Sequence, residues 1–216
     1  MIADVLRPNL EVIPAGTELW RVHNSRYRPG QFNPTLADIH FNGGRFEGTV
    51  LDPYHSLYLA HSRLTAVAES VLRSTPYGLG GKRVIPYAAV HGRSLSMLRT
   101  TCELTVVSLV HEKDLAAVQQ NADLLDGEHS YAKARRWASE IRAQAPDAMG
   151  LVWQSRRNRP ENVLVLFHDR FDDRHGRALE VVPDQGIADL GSREGVKELN
   201  LLLDPLWAEV SRPLDR

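Results

Sequence analysis

Between Ser56 and Leu72 the apolar period changes from that of a strand to that of a helix with almost no loop between them, so one sheet strand must lead directly into the helix that covers it. In Ser56-Leu57-Tyr58-Leu59-Ala60 the two leucines point to one face, and Ser56, Tyr58 and Ala60 to the other. His61-Ser62 ends the alternation. Ser62 is a helix-capping residue, and Leu64, Val67, Ala68, Val71 and Leu72 form an i, i+3, i+4, i+7, i+8 stripe. At about 100° per residue, Glu69 falls just outside that stripe, at the edge of the buried face, where a carboxylate can look into a cleft beside the sheet. The competing reading is a solvated glutamate paired with Arg73 at i+4. Upstream, Asn42-Gly43-Gly44 supplies positions where a positive φ costs little, so Arg45 emerges from a sharp turn. Taken alone, Arg45 reads as a surface arginine.

The rest of the chain reads as scaffold around that stretch. Glu18 to His23 alternates as a short strand, with Trp20 and Val22 on one face and Leu19, Arg21 and His23 on the other. The stretch NSRYRPGQFNPTLADIH is rich in turn formers and predicts a long loop. Val84 to Val90 and Glu103 to Val110 predict strands. Asp114 to Val118 opens a short helix, and Tyr131 to Ala145 forms a longer one with Tyr131, Ala134, Ala138, Ile141 and Ala145 on its buried stripe. Met149 to Trp153 is a strand that delivers Ser155 to its end. A basic loop, Arg156 to Glu161, then leads into the apolar strand Val163 to Phe167. A serine in that place is most often a turn former, and the loop arginines read either as a solvated rim or as an attractor for an anionic substrate. From Phe171 the chain is charged and then helical, with Val196, Leu199, Leu203 and Leu206 at helical spacing.

Composition narrows the function classes. A formal charge of −1 on 216 residues gives no global attraction for nucleic acid or an anionic membrane, so such binding would need a local patch. A nucleic-acid binder rests on Arg156 to Arg159 alone. The single cysteine, Cys102, allows no intramolecular disulfide. That, with the absence of a signal-like start or a long apolar run, leads us to expect a cytoplasmic protein. The nine histidines form no HExxH, and paired CxxC and aspartate-rich calcium loops are missing, so no metal is expected. The glycines between Thr75 and Lys82 lack P-loop spacing, and no G-x-S-x-G elbow occurs.

Five blocks, in order, resemble the RES domain family, toxins named for their arginine, glutamate and serine. They are Leu19-Trp20-Arg21-Val22, Gly43-Gly44-Arg45-Phe46, Leu57-Tyr58-Leu59-Ala60, Ala66-Val67-Ala68-Glu69, and Gly150 to Ser155 followed by Asn162 to Phe167. The coverage is roughly residues 17 to 170. The resemblance implies an α+β fold with an ADP-ribosyltransferase-like split mixed sheet and flanking helices. It implies a RES domain over residues 1–170 and a partly helical C-terminal extension, 171–216, packed on the domain or on a partner. The activity implied is destruction of NAD+ by hydrolysis or phosphorolysis, with NAD+ as substrate and no bound cofactor. Transfer of ADP-ribose to a protein, or a catalytically silent nucleotide- or partner-binding module, are the alternatives. By carry-over Glu69, Arg21 and Ser155 are catalytic, and Arg21, Arg45, Tyr58 and Ser155 hold NAD+. The partner implied is an Xre-like helix-turn-helix antitoxin, and self-association is a further option. One departure stands out: after the turn arginine and its aromatic the family places asparagine, whereas here Phe46 is followed by Glu47.

Overall fold

The computed structural model describes residues 5–126, 131–171 and 178–211. An eight-stranded mixed sheet runs through the molecule in the order β1-β6-β7-β8-β3-β2-β5-β9. Its strands are β1 (Leu10–Ile13), β2 (Glu18–Asn24), β3 (Ser56–Ala60), β5 (Arg93–Thr100), β6 (Leu104–Ser108), β7 (Gly150–Gln154), β8 (Asn162–Phe167) and β9 (Leu179–Ile187). Only β6 and β7 run parallel; every other neighbouring pair is antiparallel. A small parallel pair, β4 (Arg83–Ile85) with β10 (Ala208–Val210), stands apart. The helices are α1 (Arg63–Val71), α2 (Glu112–Ala117), α3 (Asp123–Asp126), α4 (Tyr131–Gln144) and α5 (Arg193–Leu203). The α+β class with a split mixed sheet, expected from the sequence, is the fold observed.

The switch at His61-Ser62 folds as its pattern dictates. β3 closes at Ala60 and Ser62 caps α1, its hydroxyl accepting from the Thr65 amide at 3.2 Å. Val67, Ala68, Val71 and Leu72 are buried in the larger core, which the sheet shares with α1, α4 and α5. Leu57 and Leu59, on the opposite face of β3, belong to the smaller core with Leu19, Leu98, Val152 and Leu164. Helices therefore cover one face of the sheet, and the side chains of loop residues such as Phe32 and Phe171 pack on the other.

The middle of the sheet is where it opens. β2 pairs with β5 along its whole length and β3 pairs with β8 along its whole length, yet β2 and β3 share a single register pair, Trp20 with Ala60. Two antiparallel strands that separate after one pair leave a gap between them instead of a ladder.

Several elements differ from expectation. Pro86 stops the strand expected over Val84 to Val90 after Ile85, and a 3-10 turn, Tyr87–Ala89, follows. β5 and β9 arise where the sequence shows no alternation. In the stretch after residue 170, expected as a partly helical extension packed on the domain or on a partner, β9 pairs with β5 in the main sheet, and Leu199 and Leu203 of α5 are buried in the larger core. Residues 172–177 and 212–216 of that stretch lie outside the described residues.

One buried cation ties the far end of the molecule together. Arg142 of α4, 4% exposed, donates from Nε to Asp52 at 3.0 Å and from Nη2 to Asp169 at 2.8 Å. Its guanidinium also lies over the rings of Tyr54 at 3.7 Å and Phe167 at 4.5 Å. Burial acts against its charge, but the hydrogen bonds to Asp169 and Asp52 outweigh it and hold the pKa above the ordinary arginine value.

Candidate active site

The glycine turn is built by close approach. Asn42 and Gly43 both adopt the left-handed region, at φ 52° and 74°, which asparagine tolerates and glycine favours. A side chain on Gly43 would bring its Cβ within 2.5 Å of the Ala37 Cβ, and one on Gly44 would lie 2.9 Å from both the Glu47 carboxyl group and the Tyr58 hydroxyl. The Gly44 amide donates to Glu47 Oε2 at 2.7 Å, and the Phe46 amide donates to the Tyr58 hydroxyl at 2.9 Å. Glu47, the acid that departs from the family pattern, thus closes its own turn. Tyr58 is held by that turn, and burial, with the Glu47 charge adding, pushes its phenol pKa well up. A phenol so placed stays neutral and serves as a wall and an anchor for the backbone.

A cavity of about 350 Å³ opens at the gap between β2 and β3. Trp20, Arg21 and Val22 come from β2, Tyr58 from β3, Ala66, Glu69 and Ser70 from α1, and Arg45 and Glu47 from the glycine turn. Tyr131 and Trp153 complete the apolar wall, and Arg73, Arg93, Arg156 and Arg157 complete the cationic one. Six arginines against two glutamates make this cavity cationic in a chain of net charge −1. Arg21, Arg45, Tyr58 and Glu69 therefore meet at one cavity, although they lie on four separate stretches of sequence.

Ser155 does not line it. The serine is 0% exposed, and its hydroxyl donates to Glu69 Oε1 at 2.6 Å while accepting the amides of Arg157 at 3.1 Å and Asn158 at 3.0 Å. The Arg157 amide also reaches Glu69 Oε1 at 3.2 Å. Where the resemblance implied a substrate contact, the side chain is a strut that fixes one carboxylate oxygen. The i, i+4 pair of Glu69 with Arg73 does not form. Arg73 donates instead to the Tyr131 hydroxyl at 2.9 Å and to the Gly43 carbonyl at 3.2 Å.

The two carried-over arginines differ in what holds them. Arg21 Nη1 donates to the carbonyls of Pro29 at 2.6 Å and Gln31 at 2.7 Å, which ties the long loop after β2 to the cleft. Burial lowers its pKa to about 10. The residue also borders a second cavity of about 260 Å³, walled by Tyr27, Phe32, Asn33 and Tyr58. Arg45 packs over the Tyr131 ring at 5.2 Å, and its buried Nε has no hydrogen-bond partner. Burial lowers its pKa, while Tyr131, Tyr58 and Glu69 act in the other direction. A half-buried guanidinium lining a cavity offers a planar donor fork that suits an anion.

Tyr131 is a cavity residue that the sequence reading assigned to a buried helix stripe. Its ring is packed against both Arg45 and Arg73, 4.4 Å from the latter. A tyrosine opening a helix that is otherwise alanine-rich on its buried face was the available signal. Trp153 was read only as part of a strand; it stacks edge-on to Phe46 at 4.9 Å and to Tyr58 at 6.2 Å, backing the turn and the cavity together.

The family model described as RES domain matches residues 18–205 of this chain. No curated protein matches it. Among solved structures, a chain from the crystal structure of the M. tuberculosis MbcT-MbcA toxin-antitoxin complex superposes with a TM-score of 0.55 at 16% identity, covering 82% of this chain and 85% of that one. At that identity the likeness is one of fold.

Proposed function

This chain belongs to the RES domain family, and from that premise we propose that it is the toxin of a toxin-antitoxin pair and destroys NAD+ by breaking the nicotinamide-ribose bond. The observation that carries the reading is the pairing, at one cavity, of a carboxylate fixed by Ser155 at 2.6 Å with the half-buried guanidiniums of Arg21 and Arg45. NAD+ needs both. Its pyrophosphate is a dianion suited to planar guanidinium donors, and its ribose becomes cationic as the bond breaks.

In the reaction the C1′–N bond cleaves heterolytically and the electron pair goes to the pyridinium nitrogen, so nicotinamide leaves neutral without needing a proton. The ribose is left as an oxocarbenium-like ion. Glu69 stabilises that charge more than it stabilises the ground state. Water, or phosphate in the phosphorolytic version, then attacks C1′, and water releases one proton. Arg45 and Arg21 hold the pyrophosphate, and Tyr58 and Trp153 wall the sugar and ring. Ser155 and the Arg157 amide keep Glu69 aimed. In the same proposal a partner protein, an Xre-like antitoxin, holds the enzyme in check; the toxin-antitoxin assembly of the structural neighbour supports that part.

The test is to incubate the purified chain with NAD+, with and without phosphate, and to identify the products by mass. Free nicotinamide with ADP-ribose or its 1-phosphate is the expected result, and Glu69→Gln should release it about 10²-fold or more slowly. Intact NAD+ after prolonged incubation would refute the reading, whereas ADP-ribose recovered on protein would replace it with the transferase.

A further inference from the structure

Among the cations near the cleft, the deepest is not in it. Arg135, in the second turn of α4, is 2% exposed and is the largest fully buried side chain among the described residues. Its Nη1 donates to the carbonyls of Asn42 at 2.9 Å and Gly44 at 3.1 Å, and its Nη2 reaches the Ile39 carbonyl at 3.5 Å. Burying a charge against carbonyl dipoles is expensive compared with burying an alkyl chain of similar size. Such a placement is kept where a rigid, planar fork is needed to gather several acceptors from one irregular piece of backbone.

That backbone is the glycine turn. Two successive left-handed residues, Asn42 and Gly43, bring the carbonyls of Asn42 and Gly44 round to the helix side. The opposite side of the same turn sends the Gly44 amide to Glu47 and the Arg45 side chain into the cavity. Arg73 takes the remaining carbonyl of the turn, that of Gly43. Three consecutive carbonyls are thus held by two guanidiniums.

We propose that Arg135 is a positioning residue that sets the glycine turn from inside α4 so that Arg45 meets the anionic part of the substrate. The proposal rests on the reading of Arg45 as a pyrophosphate ligand. It makes Arg135 act on binding chiefly through Arg45, by way of the turn, and never touch substrate.

The test is a double-mutant cycle on ADP-ribose binding by calorimetry and on NAD+ turnover, with Arg45→Met, Arg135→Met and the double variant. Arg135→Met should weaken ADP-ribose binding about tenfold or more, because a small misplacement of a ligand-holding group is amplified in this way. KM should rise while kcat stays within about threefold, as for a lost binding contact. The double variant should bind no more weakly than Arg45→Met. Arg135→Lys keeps the charge without the planar fork, so it should restore thermal stability more than affinity; it replaces the methionine variant in the cycle if that one does not fold. Unchanged affinity in Arg135→Met, full additivity in the double variant, or a lysine variant with wild-type affinity would overturn the proposal. Wild-type protein that binds no ADP-ribose would refute the functional reading instead. Amide exchange at Gly44 and Phe46 then decides the positioning claim on its own, with about tenfold faster exchange in the variant supporting it and unchanged exchange rejecting it.

Discussion

Two arginines, one buried and one half-buried at the cavity, differ in how the protein answers their charge. Arg142 has two carboxylates and two aromatic faces around it, and its pKa rises despite burial. Arg45 has a tyrosine ring, a nearby glutamate and an unpartnered Nε, and its pKa falls. The opposite directions carry the lesson. At Arg142 the molecule has answered the charge within itself. At Arg45 the structure supplies less, and under the proposed function the rest falls to an anionic substrate.

The contrast can be broken most forcefully at Arg142. Arg142→Met should cost about 3 kcal/mol of unfolding free energy, because it removes the buried charge-assisted hydrogen bonds to Asp52 and Asp169 and leaves Asp169 only the more distant Arg170. Binding of ADP-ribose by the folded fraction should stay within twofold. Urea unfolding and calorimetry on one preparation check both, and a large loss of affinity would abolish the distinction between the two arginines. Arg45→Met should do the reverse. Losing a charge-assisted bond of about 1.5–3 kcal/mol predicts binding about 10- to 150-fold weaker, with unfolding free energy unchanged or raised, since a desolvated cation has been removed.

Ser155→Ala lies between these cases. It removes a donor to Glu69 and an acceptor for two amides, so kcat should fall about tenfold with KM within twofold, and stability should drop by about 1–2 kcal/mol. A rise in KM alone would return Ser155 to the substrate. The smallest effect expected is at His23, which is buried with Nδ1 3.0 Å from the Asn24 carbonyl and Nε2 2.9 Å from the Ser96 hydroxyl. Burial, aided by Arg21, lowers its pKa below the ordinary 6.5. The unfolded chain therefore binds the proton more readily, and stability contributed by the neutral ring is lost as pH falls from about 6.5 through the lowered folded value. His23→Gln should flatten that part of the stability profile, and an unchanged slope would count against this assignment.

The elements legible in the sequence were those with one face in a core and the other elsewhere. β3 and the Ser62 cap follow directly from alternation and capping. β5 escaped notice because Ser94, Leu95, Met97, Leu98 and Thr100 are all buried, so no period of two survives. β9 carries Pro183, a left-handed Asp184 and Gly186 along its pairing with β5, features that read as a turn but are tolerated on an outermost strand. At the site, residue types and order were readable for Arg21, Arg45, Tyr58 and Glu69, which the structure brings to one cavity. Their division of labour was not. Whether Ser155 faces a ligand or a glutamate depends on how β7 hands the chain to the loop before β8. Whether Glu47 opposes an anion or closes a turn depends on one amide 2.7 Å away.

The lone register pair between β2 and β3 has a consequence for how such a protein diversifies. Its floor is a seam in the sheet, laid down by strand topology before any loop is placed. Lengthening or recolouring the loops around that seam alters what is admitted and who may cover it, while the opening itself persists. Abolishing it would take a new ladder of hydrogen bonds across the centre of the molecule.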